Sequence, residues 1–77
     1  MKAKVISLKF VSASDKPVGY LIVETDDEVC AKHIARGWGE KRLRKQFVSV
    51  EVHQGTLDAP DEDAEMFDGV RVWELPF

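Results

Sequence analysis

Residues 25–39 read TDDEVCAKHIARGWG, and their spacing predicts one amphipathic helix laid across a small sheet. The Thr25 hydroxyl is placed to cap the first turn, and Glu28 stands three residues on as its reciprocal partner. Asp26, Asp27 and Glu28 put negative charge at the positive end of the helix dipole. Val29, Cys30, Ile34 and Trp38, with Ala31 and Ala35 beside them, recur at the three- and four-residue spacing of an apolar face. Lys32 and Arg36 fall on the opposite side, and Gly37 is the expected stop.

Working outward, the residues on either side of this helix read as strands. Before it, residues 18–24 are apolar on both faces, with Tyr20 and Ile22 opposite Leu21 and Val23, as expected of a strand with neighbours on both sides. After it, residues 47–53 alternate strictly: Val48, Val50 and Val52 lie on one face and Phe47, Ser49, Glu51 and His53 on the other, with Gln54 and Gly55 ending the strand. Between them, residues 40–46 hold Leu43 as their one apolar residue, which leaves a short second helix and an exposed connection equally open.

Nearer the termini, residues 3–11 alternate with Ile6, Leu8 and Phe10 as the core side. Residues 12–17, SASDKP, form a hairpin loop. Residues 70–75, VRVWEL, form a last strand with Trp73 and Leu75 on one face and Val70 and Val72 on the other. Residues 56–69 are acidic. Pro60 suits the first turn of a short acidic helix, and a loop pinned by Met66 and Phe67 is the other reading. The expectation is an α+β fold in β-β-α-β-β order, with an antiparallel sheet of about four strands and the helix packed on one face.

Composition limits the possibilities. Seventy-seven residues, 44% apolar and 32% charged, make one folded domain (1–77) with room for one small core. Lysines at positions 2, 4 and 9 interrupt any signal-peptide core, and no apolar run is long enough to span a membrane. With Cys30 as the sole cysteine an intramolecular disulfide is excluded, and a cytoplasmic location is expected.

The inventory argues against catalysis. A nucleophilic mechanism needs a nucleophile, a base and an orienting group. Cys30 and His33 are three apart, but Cys30 falls on the stripe shared with Ile34 and reads as a buried structural thiol. The same pair lacks two further ligands for zinc. The carboxylates of residues 61–68 do not have the spacing of a calcium loop, and Gly37 and Gly39 lack the rest of a phosphate-binding motif. No enzyme, metal or cofactor is expected.

Charge distribution supplies the candidate sites. Lys32, Arg36, Lys41, Arg42, Arg44 and Lys45 make a basic segment interrupted by one acid, Glu40, with Trp38 and Phe47 interleaved as rings that could stack on bases. Asp58, Asp61, Glu62, Asp63, Glu65 and Asp68 make an acidic segment with no base, in which Phe67 is an aromatic anchor for a partner. The two segments either attract one another or face different partners.

The run YLIVETDDEVCAKHIARGWGEKRLRKQFVSVEV, residues 20–52, resembles the strand-helix-strand unit of small phage-encoded inhibitors, among them anti-CRISPR proteins and short inhibitors of bacterial RNA polymerase. The resemblance implies a non-enzymatic protein that blocks a host nucleic-acid machine through charged patches. The leading expectation is thus an inhibitor or adaptor that binds a host protein. The alternative is sequence-tolerant nucleic-acid binding through residues 32–45, and a homodimer built on a strand edge is a third class.

Overall fold

A computed structural model describes residues 4–60 and 63–75, with the backbone alone for residues 55–58 and 75. The elements are β1 (Lys4–Val11), β2 (Pro17–Val23), α1 (Glu28–Arg42), a 3₁₀ turn (Arg44–Gln46), β3 (Ser49–Asp58), β4 (Glu65–Phe67) and β5 (Val70–Leu75). The strands form one antiparallel sheet in the order β3-β1-β2-β5-β4. The sheet has five strands rather than four.

The additional strand comes from a signal that charge had obscured. Asp68-Gly69 is a two-residue loop with φ of 54° and 79°, joining Phe67 to its partner Val70. Positive φ at both loop positions gives a turn whose twist matches that of the flanking strands, and Asp-Gly is among the sequences that favour it. Met66 and Phe67 therefore lie in β4 rather than pinning a loop. Residues 59, 60, 63 and 64 are extended or irregular, with no helical turn. The expected acidic helix is otherwise a matter for Asp61 and Glu62, which lie outside the described residues.

Each face of the sheet buries its own cluster. On the helix side, Ile6, Leu8 and Phe10 of β1, Leu21 and Val23 of β2 and Val72 of β5 meet Ala31, Ile34, Ala35 and Trp38 of α1, together with Phe47. On the far side, Val5, Ile22 and Trp73 are covered by Ala59 and Ala64. Because β3 and β4 occupy opposite edges, the chain crosses the sheet between them, and among its described residues Ala59 and Ala64 contact the far face.

The helix begins later and ends later than its sequence implies. Glu24 N–H still donates to Arg71 C=O at 3.0 Å, so the chain is tied to the sheet where a Thr25 cap would require it to turn away. Asp27 is the cap instead. Its Oδ1 accepts from Val29 N at 2.9 Å and Cys30 N at 3.4 Å, while Thr25 Oγ1 accepts from Asp27 N at 3.1 Å and shapes the approach. Val29 and Cys30 are consequently exposed, not core, since the first turn projects past the packed stripe. That stripe is Ala31, Ile34, Ala35, Trp38 and Gly39. Replacing Asp27 with alanine should cost about 1 kcal/mol in a urea titration, and Thr25→Ala only a few tenths. The reverse ranking would return the cap to Thr25.

Gly37 does not stop the helix. The helix runs through both glycines to Arg42, Leu43 N–H closes it on Gly39 C=O at 2.7 Å, and Arg44 turns the chain with a φ of 55°. Residues 40–46 are thus helical to Arg42 and then a single 3₁₀ turn. Phe47 lies outside β3 and is buried, its ring edge-on to Phe10 at 5.1 Å, whereas Val48 is exposed at the bend. Gln54 and Gly55 do not end β3 either. Register shifts opposite β1 accommodate them, and the strand continues to Asp58.

Candidate functional site

The basic and acidic segments meet where α1 passes the β4–β5 hairpin. Arg42 Nη2 donates to both carboxylate oxygens of Glu65, at 2.8 and 2.5 Å, and its guanidinium lies 5.8 Å from the centre of the Trp38 ring. One residue back, Lys41 Nζ stands 5.4 Å from the centre of the Phe67 ring. An ammonium over a ring face is attracted to it by about 0.5–1 kcal/mol at exposed sites. Gly37 lies beside the same ring: a Cβ there would stand 3.6 Å from Phe67 Cε2, an ordinary contact.

Beside these contacts runs an open groove of about 670 Å³. One wall is the side of α1 that carries His33, Arg36, Gly37, Glu40 and Lys41. The other is Met66, Phe67 and Asp68. Met66 is 63% exposed, making it one of the few large apolar side chains left open to solvent. A groove of this size accommodates several side chains.

The structure sorts the sequence candidates into three groups. Arg36, Lys41, Phe67 and Asp68 line the groove, and Arg42 and Glu65 brace its wall. Lys32, Arg44, Lys45 and Asp63 are exposed but outside it. Asp58 ends β3 opposite Lys4, at the sheet's other edge, and Asp61 and Glu62 lie outside the described residues. Among the described residues, Lys32, Arg36, Lys41, Arg44 and Lys45 hold no ion pair. Trp38 and Phe47, the rings expected to stack on bases, are both buried.

No known family, curated protein or solved structure matches the chain. The site therefore has to be read from its own chemistry. Among the described residues no group of three or more His, Cys, Asp or Glu side chains could hold a metal ion, and no helix is long and apolar enough to cross a membrane. Cys30 is exposed near the start of α1 rather than buried.

Sequence reasoning overlooked His33 and Gly37 as groove residues. The Asp68-Gly69 pair, read as a hairpin, would have put Met66 and Phe67 on a strand. The spacing of His33, Gly37 and Lys41 along a helix would then have placed them on one flank.

Proposed function

We propose that this chain is a non-enzymatic protein-binding module whose partner lays an acidic segment with an apolar side chain into the groove between α1 and β4. The observation that carries the reading is the combination on one surface of cations without carboxylate partners and an exposed methionine. Arg42 and Glu65 neutralise each other, so the cations left for a partner in the groove are Arg36 and Lys41. Glu40 and Asp68 also line it and limit which carboxylate positions are favourable. The apolar surface of Phe67 suits a side chain rather than a base, because its ring is already flanked by Lys41 and Gly37.

The resemblance of residues 20–52 to phage-encoded inhibitors supports the same reading, and implies a cytoplasmic inhibitor or adaptor acting on a protein of a host nucleic-acid machine. The test is an amide chemical-shift titration with three probes: a short peptide bearing leucine between glutamates, its counterpart with lysine for glutamate, and single-stranded DNA. The acidic peptide is expected to move the amides of His33, Gly37, Lys41 and Phe67. Reversing Arg36 and Lys41 to glutamate should weaken it about tenfold, since each exposed pair contributes up to about 1 kcal/mol. Shifts caused by DNA and by neither peptide would overturn this reading in favour of nucleic-acid binding through residues 32–45.

A further inference from the structure

The groove borders an unpaired strand edge. β4 pairs with β5 on one side, and among the described residues no strand covers its other side. Met66 and Phe67 are successive strand residues whose side chains point to opposite faces, yet both line the groove. A cavity lined by both residues reaches the edge of the strand.

Ladder geometry identifies the main-chain groups involved. In a hairpin with a two-residue loop, the residues flanking the loop exchange both hydrogen bonds, and bonding alternates from there. Phe67 and Val70 are that flanking pair, and Met66 faces Arg71 at the next, non-bonded position. The N–H and C=O of Met66 are therefore turned outward, towards the groove.

We infer that the partner segment binds as an extended strand added to the free edge of β4, with its main chain bonded to Met66. Alternate side chains then enter the space between β4 and α1. This rests on the groove being the binding site and specifies the occupant: an extended peptide with an apolar residue over Gly37 and Phe67 and a carboxylate within reach of Arg36 or Lys41. The strand addition alone is weak. β4 has three residues, and a single residue offers one donor and one acceptor, so the groove contacts have to supply most of the affinity.

The experiment compares Met66→Pro with Met66→Ala. Both remove the exposed side chain, and only proline removes the outward N–H. Proline is tolerated on a sheet edge where that N–H is not part of the ladder. With the glutamate–leucine peptide as probe, Met66→Pro should bind about three- to tenfold more weakly than Met66→Ala, the size of one net hydrogen bond. Amide spectra must confirm that the Val70 and Val72 resonances are retained. If Met66→Pro disturbs the hairpin, interchain backbone-proton contacts (Hα–Hα or Hα–HN) between the peptide and β4 in the unaltered protein provide the same test. Peptide binding at the groove with equal affinity for both variants, or with no such contacts, overturns strand addition and leaves the site intact. Absence of groove shifts with the peptide overturns the site itself.

Discussion

Replacing Phe10 with alanine should remove a large share of the protein's stability, about 3–5 kcal/mol. Phe10 is fully buried, its ring 5.6 Å from the centre of Trp38 and 5.1 Å from that of Phe47. It joins the sheet to the helix and to the segment that follows it. Truncating a buried phenylalanine costs about 3–5 kcal/mol, part of it lost transfer energy and part the cavity left behind. A chain of 77 residues has a total stability of about 4–12 kcal/mol. Circular dichroism with urea titration measures the outcome, and a loss below about 1 kcal/mol would mean that the Phe10 ring is not the centre of the core.

The two helical glycines should respond to alanine in opposite directions. At Gly39 an added Cβ would stand 2.6 Å from Phe10 Cε1 and 2.8 Å from two atoms of the Phe47 ring. Those rings are enclosed, so the helix has to lift or the rings have to leave their rotamers, at about 1–3 kcal/mol. Alanine regains about 1 kcal/mol of helix propensity. The net expectation for Gly39→Ala is a loss of up to about 2 kcal/mol. At Gly37 the nearest atom is 3.6 Å away, an ordinary contact, so Gly37→Ala keeps the propensity gain and raises the melting temperature. Equal responses at the two positions would show that ring packing does not account for Gly39.

The same pair shows how far local pattern reaches. The helix, the β1–β2 hairpin and β5 were legible, because each depends on a periodicity or a turn written in adjacent residues. Gly37-Trp38-Gly39 read as a stop because glycine usually marks one. Here each glycine lies against an aromatic ring from a distant strand or loop, and no local rule records that distance. The cap was misplaced for a similar reason: Thr25 and Asp27 are both good caps, and the choice was made by a sheet bond from Glu24 to Arg71. Val29 and Cys30 moved to the surface as a consequence of that choice.

The candidate site was legible as two charged segments but not as one place. Charge counts identified Arg42 and Glu65 as members of opposite sets, and topology made them partners 23 residues apart. The reading of Trp38 and Phe47 as rings available to stack on bases failed because the core has first claim on large side chains. Met66, a minor residue in the sequence, became prominent once β4 was in place.

The position of β5 determines how the chain folds over time. It pairs with β2, joining Ile22 to Trp73 across the helix, β3 and the crossover. Closing so long an interval costs about 2 kcal/mol more than closing a tight hairpin. That pairing, like that of β1 with β3, closes a long interval, and refolding is expected in the millisecond-to-second range of folds dominated by distant contacts. Until β5 arrives, the apolar edge of β2 stands open to other chains, and the yield of refolded protein should fall as its concentration rises.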